Sequence, residues 1–408
     1  MKTPWMFIGM LILVAAISPL GINLYLPSMP EMARSLQVDF AAVQVSLSVY
    51  LAAVAVGQLV VGPLSDHYGR RPVLLAGLAL FVLGSVLCAV APDPLVLNLG
   101  RIVQGFGGCA GIALSRAIVR DLYDRQRAAS MIGYVAMGMS VAPMVAPTIG
   151  GVLESVFGWR ASFVFLGGFG LVTLVVVFSL LHETLPAKRG LATPVADDAG
   201  TVSRLLSGYA FLLRSRPFWG YAMATSFTSG VFYAFIAGAA YVMIEMMGRS
   251  PVEYGIYFGL VAVGYIVGNF VSARFGQRVG HARLIRVGLG MAPACVAAMA
   301  LCFAWDWLHP MALFGPMFMV GMANGLVMPG CIAGAVSVRP EAAGAASGLA
   351  GSIQIGLGAL IAPLVGAIMG TSVWPLVAVM MACAVLALGV FRLTRRPIAA
   401  PAEVWPRP

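Results

Sequence analysis

The feature that most constrains this chain is a series of about a dozen apolar runs, each long enough to cross a bilayer as a helix. They fall at roughly 5–27, 40–63, 72–91, 96–119, 130–153 and 160–182, then at 217–244, 252–274, 283–304, 309–335, 342–368 and 372–393. A span needs about 20 predominantly apolar residues, and soluble cores seldom supply so many such runs in succession. Charge supports the same reading. Only 10% of the 408 residues are charged and 60% are hydrophobic, whereas a soluble surface needs about a quarter charged. The expected fold is an all-α integral membrane protein of twelve transmembrane helices. Gly and Pro are frequent inside the runs, where small residues allow close helix approach.

The longest polar stretch, 183–216, carries Lys188, Arg189, Asp197, Asp198, Arg204, Arg214 and Arg216. It divides the chain into an N-terminal six-helix bundle, 1–182, and a C-terminal one, 217–408, with a short cytoplasmic tail. Six spans on each side leave both termini on one face. All 25 Lys and Arg residues fall on that face except Arg34, Arg160 and Arg249 opposite, and Arg101 and Arg116 within the fourth span. Retained positive charge marks the cytoplasmic side, so the chain is expected as a multi-pass protein of the inner (cytoplasmic) membrane with both termini inside. The net charge of +10 is spread over these loops, so the expected partner is the lipid bilayer and not nucleic acid. The six cysteines lie inside apolar runs without metal-like spacing and read as packing residues. The first run continues past Ile17 without a small-residue cleavage site, as in a retained helix.

The halves echo each other. Ala129-Ser130 with Ala146-Pro147 and Gly150 in the fifth span recurs as Ala346-Ser347 with Ala362-Pro363 and Gly366 in the eleventh. The stretch Gly268–Arg278 loosely repeats Gly62–Arg71 without its Asp. Two six-helix repeats with a site between them describe secondary transporters, and this architecture completes a site within one chain, so a monomer is expected. A channel or membrane-embedded enzyme need not show such duplication. An enzyme would also need convergent His, Asp or Cys side chains, yet His67, His182, His281 and His309 lie at run ends or in loops. No GxxxxGK[ST] phosphate loop is present for an ATP-driven pump.

Polar groups within spans are costly and become functional candidates. The fourth span holds Arg101, Gln104 and, near its cytoplasmic end, Arg116; the first holds Asn23. Asn23 and Arg101 lie at similar depth, roughly 6–8 Å below the outer edge, placing both beside one cavity. The alternatives are an Arg101 that snorkels to the headgroups and an Asn23 that makes an ordinary interhelical hydrogen bond. Tyr50 and Tyr233 are deep enough to line an apolar pocket, or else pack as core. Glu31, Asp39, Asp93, Glu154, Glu245 and Asp306 fall near outer loops and read as solvated.

Three motifs carry a resemblance. Gly62-x-Leu64-Ser65-Asp66-x-x-Gly69-Arg70-Arg71 is similar to the loop motif between helices 2 and 3 of the major facilitator superfamily. Arg101-Ile-Val-Gln104-Gly105-Phe-Gly107 resembles the helix 4 motif of its proton-driven members. Gly133, Pro147, Gly150 and Gly151 keep the spacing of the helix 5 antiporter motif, although Ala142 and Ala146 stand where that motif usually has Gly. More narrowly the chain resembles the Bcr/CflA family of bacterial drug/proton antiporters, through Tyr25-Leu-Pro27-Ser-Met-Pro30, Gly57-Gln58, Arg116-Ala-Ile-Val-Arg120-Asp121, Tyr254-Gly255 with Phe258, and Gly344-Ala-Ala-Ser347.

The resemblance implies export of small, mainly apolar drugs by alternating access, driven by a proton gradient and without a bound cofactor. It makes Arg101 a partner of a first-helix acid that carries the proton. This chain departs there: the residue two before Tyr25 is Asn23, which cannot release a proton. The resemblance also makes Gly62–Arg71 a conformational latch whose Asp66 docks on helix 11 and on the Arg116–Arg120–Asp121 group. A carboxylate at Asp66 is further expected to benefit from a nearby helix N-terminus. The other reading within transporters is export of a sugar, amino acid or other metabolite, for which the polar residues Asn23, Gln104, Asn324 and Gln354 are sparse.

Overall fold

The computed structural model describes residues 4–122, 125–184, 209–339, 343–370 and 372–393. Among these the chain is helical, without strands, and its long helices are numbered here by span. They are α1 (Pro4–Asn23), α2 (Phe40–Tyr68), α3 (Arg70–Ala89), α4 (Pro94–Leu122), α5 (Arg125–Phe157), α6 (Arg160–Leu180), α7 (Arg216–Tyr241), α8 (Pro251–Val279), α9 (His281–Ala304), α10 (Pro310–Ser337), α11 (Ala343–Met369) and α12 (Trp374–Leu393). Eleven described segments have the length and hydropathy of membrane spans; in α5 the apolar described part is Val141–Phe157.

Helix packing repeats between halves. The pairs α3/α4, α2/α4, α3/α6 and α1/α5 of the first six recur as α9/α10, α8/α10, α9/α12 and α7/α11 of the last six. The halves meet along two extensive seams, α2 against α11 and α5 against α8. Exchanging each helix for its counterpart converts one seam into the other, so the two bundles are pseudo-symmetric.

The helices outrun the apolar segments that mark them. Hydropathy ends where side chains meet water, but backbone hydrogen bonding continues for another turn or more. The stretch from Gly62 to Pro72 is accordingly not an open loop: α2 runs to Tyr68, α3 starts at Arg70, and Gly69 alone makes the break. Gly69 has φ +100°, a conformation that glycine adopts without the cost of a Cβ. In the second half the equivalent break is Gly280, φ +89°, and both α2 and α8 have 29 residues. Gly280 lies just beyond the Gly268–Arg278 echo, so the structural register of the repeat is shifted from the one read in sequence.

The first span differs in another way. Pro27 and Pro30 lack the N–H that a helix interior needs, and α1 stops at Asn23. A single 3-10 turn, Leu26–Ser28, follows, and then a short helix, Met29–Ser35. Leu24 to Pro30 stay buried throughout. Of the polar stretch 183–216, residues 185–208 lie outside the described residues. At its described ends, Thr184 reaches Asp121 (3.5 Å), and Leu212, in the helical turn 209–214, is buried against Phe218.

Candidate coupling and substrate site

One end of the bundle carries Gly69, Arg70, Arg71 and Gly280 and is called the basic end; the other is the far end. Arg101, seven residues into α4, is fully buried and does not snorkel. Its Nη1 donates to the Gly21 carbonyl (3.0 Å) and to Gln104 Oε1, and its Nε donates to the Ser46 carbonyl (3.3 Å). Gln104 in turn donates to Ser85 Oγ (2.7 Å). The guanidinium is held between two aromatic faces, 4.4 Å from the Tyr25 ring and 4.1 Å from the Tyr50 ring. Each such contact contributes roughly 2 kcal/mol where water is excluded. Small residues create the fit: Gly21, Gly105 and Gly108 all lie against Tyr50. Tyr50 therefore has a role beyond lining a pocket.

Asn23 is buried at the end of α1. Gly21 meets Arg101 through its backbone carbonyl, and Tyr25, just beyond the end of α1, through its ring. The Asn23 amide donates back to the Pro19 carbonyl (2.8 Å), and its Oδ1, although buried, has no partner. No hydrogen bond joins Asn23 to Arg101. Nor does any ion pair join a carboxylate to Arg101 among the described residues. Tyr233 belongs to the other half, stacked beneath Gly358 of α11 and 6.1 Å from the Phe232 ring.

The Gly62–Arg71 motif is knitted into the first half. Arg70 bridges two carboxylates, Asp66 one turn back and Asp121 on α4 (Nε–Oδ2, 2.9 Å), and also donates to Ser65 Oγ (2.6 Å). Asp66 is exposed, at 62% of its side-chain surface, and Asp121 is mostly covered at 19%. Gly62 has open space beside it. Arg71 donates to the Phe178 carbonyl (3.0 Å) and lies over the Phe178 ring. Asp66 sits in the last turn of α2 and pairs with Arg70, the first residue of α3. The carboxylate that caps α3 is Glu183, accepting from the Arg70 and Arg71 backbone N–H groups (2.9 and 3.2 Å). Among the described contacts, none links Asp66 to α11. Arg116 is exposed near the basic end of α4, while Arg120 lies on α4 and Gly133 on α5 with surroundings outside the described residues.

At the far end the halves interlock. A Cβ on Gly151 would strike the Pro251 carbonyl and one on Gly255 the backbone of Pro147 and Thr148, both across the halves, while within the first half one on Gly150 would strike the Leu24 carbonyl. Three of the helix 5 motif residues (Pro147, Gly150 and Gly151) thus lie on surfaces where α5 meets α1 or α8. On the α2/α11 seam, buried Gln44 donates to the Ala237 carbonyl of α7 and lies against Gly366. Arg34 reaches Glu245 across the halves (3.7 Å). These contacts seal the far end.

Sequence reasoning missed Glu183 and Gln44. Glu183 follows directly on the sixth span, and its spatial pairing with residues 70 and 71 has no local signature. Gln44 was visible as a polar residue inside an apolar run. Glu154, read as solvated, faces Ser28 and has one buried carboxylate oxygen without a partner.

The Major Facilitator Superfamily profile matches residues 11–354. The chain belongs to the major facilitator superfamily. It is accordingly a multi-pass membrane transporter and not an enzyme. This major facilitator is 34% identical over 391 residues to the uncharacterized MFS-type transporter YdgK of Bacillus subtilis, covering 95% of this chain and 94% of that one. It is 30% identical to a bicyclomycin resistance protein homolog of Haemophilus influenzae, covering 97% and 98%. A chloramphenicol resistance protein of Pseudomonas aeruginosa is 28% identical, with 93% and 88% covered. In fold it is similar to a bacterial homolog of the human lysosomal transporter Spinster, solved inward-facing and occupied (TM-score 0.73, 18% identity, 97% of both chains covered).

Proposed function

We propose that this major facilitator exports small, mainly apolar drugs, of the phenicol or bicyclomycin-like kind, out of the bacterial cytoplasm by alternating access. The observation that carries this reading is near full-length similarity, at about 30% identity, to relatives named for resistance to such compounds. The basic end is the cytoplasmic one, with both termini there, in the inner membrane, and one chain forms the working unit. In this arrangement the sealed far end faces the periplasm, and the structure corresponds to the inward-facing side of the cycle.

Substrate enters between the halves from the basic end. The far-end contacts through Gly151 and Gly255 then break as the bundles rock. Asp66 and the Arg70–Asp121 bridge hold the first half rigid at the basic end and supply the latch that forms when that end closes. Proton coupling through residue 23 is weak or absent, because an amide cannot exchange a proton over the physiological range. The test is a resistance panel in cells lacking their own efflux pumps. Raised resistance to chloramphenicol or bicyclomycin supports export of drugs. Unchanged susceptibility to the whole panel, with the protein in the membrane, contradicts it.

A further inference from the structure

The basic end holds a pair of cations that line open space. Arg214, closing the helical turn 209–214, and Arg339, just past the end of α10, border a cavity of about 530 Å3 together with Ala210, Phe211 and Ser215. Ligand sites commonly enclose roughly 300–1,000 Å3, so the space is sufficient. Neither arginine joins an ion pair among the described residues. The Arg339 guanidinium lies 4.8 Å from the Phe211 ring, which covers one face and leaves the N–H edge for an acceptor. Ser215 immediately precedes α7, and its hydroxyl makes no capping bond. The positive end of the α7 dipole adds to the two formal charges. Two guanidinium edges and a hydroxyl around one cavity fit a phosphate, which arginine can bind bidentately.

The surroundings of the cavity are those of a membrane boundary. Phe211 and Leu213 are half-exposed, and so is Ile332, seven residues before Arg339 on α10. Trp219, in the first turn of α7, donates its indole N–H to the Leu213 carbonyl (2.7 Å). An apolar ring with a satisfied N–H suits the headgroup level of a bilayer. Apolar surface beside two arginines at the end of a span matches a phospholipid, with its headgroup in the cavity and its acyl chains along Phe211 and Ile332. A zwitterionic lipid would add an ammonium where two positive charges already lack a carboxylate, so the charge balance favours a net anionic headgroup.

We propose that Arg214, Arg339 and Ser215 bind the headgroup phosphate of an anionic phospholipid at the basic end. The site goes beyond the export reading, and its test measures binding alone, so failure of either leaves the other standing.

The experiment follows thermal unfolding of the full-length protein, stripped of lipid in detergent at constant ionic strength, as phosphatidylglycerol is added. A saturable rise in melting temperature of about 2 °C or more is expected, at least about twice the rise given by phosphatidylcholine. Arg214→Gln, which alters an exposed side chain, and Arg339→Gln should each raise the half-saturating concentration about tenfold. Arg283→Gln, at an exposed position elsewhere on the basic end, should leave it unchanged. No rise with phosphatidylglycerol, or a rise with phosphatidylcholine that comes closer than twofold, overturns the proposal. A rise of the same size with sodium phosphate assigns a free-phosphate site and overturns it too. So does a lipid response that Arg214→Gln leaves unchanged, or one that Arg283→Gln weakens equally.

Discussion

Gly255→Ala tests how the two halves are held together. The new Cβ would lie 2.6 Å from the Pro147 carbonyl oxygen and closer still to the Thr148 backbone. Nonbonded carbon contacts settle near about 3.5 Å, so α5 and α8 must part by about 1 Å at this point. Both obstacles are backbone, so no side-chain rotation relieves them. Overpacking of this kind costs about 1–3 kcal/mol. Alternating access separates α5 from α8 at the far end, so that cost falls on the far-end-closed state alone. The equilibrium should move toward the open state by about 5- to 150-fold. Spin labels at Asp93 and Trp307, exposed positions in far-end loops of opposite halves, report this separation once the six native cysteines are replaced. The variant should add a longer-distance population absent or minor in the parent. A folded Gly255→Ala protein with an unchanged distance distribution would refute the reasoning.

Three further outcomes follow from the basic end. Glu183→Ala uncaps α3 by removing the acceptor for two backbone N–H groups, and should lower stability by about 1 kcal/mol, read as a small drop in melting temperature. Asp66→Asn alters an exposed partner of Arg70 and should leave stability within about 1 kcal/mol of the parent, while changing the inward/outward ratio in a cysteine-accessibility assay; an unchanged ratio counts against the latch. Asp121→Asn, by contrast, disturbs the covered end of the same bridge and should be the more destabilising of the two by thermal unfolding.

The fold was legible because hydropathy reports span number directly, and twelve runs with a midpoint break imply paired bundles. Helix ends were less legible. The Gly62–Pro72 stretch reads as a hinge, yet Pro63 is tolerated within α2 and only Gly69, at positive φ, interrupts the backbone. At the site, residue count gave an expected depth but no hydrogen-bond partners. Counting put Asn23 level with Arg101, whereas in the structure the Asn23 amide donates to the Pro19 carbonyl and not to any group beside Arg101. Glu183 and Gln44 act on partners more than 100 residues away, and no local pattern encodes such a pairing. The identity of residue 23, in contrast, is plain in the sequence, and the structure adds that no carboxylate contacts Arg101 among the described residues.

The central claim is a drug exporter whose residue 23 cannot carry a proton. The most direct measurement is drug-evoked proton release from protein in proteoliposomes, with chloramphenicol as the probe, comparing the parent with Asn23→Asp. The account predicts little or no release from the parent and clear release from the Asp form. Equal release from both would contradict it.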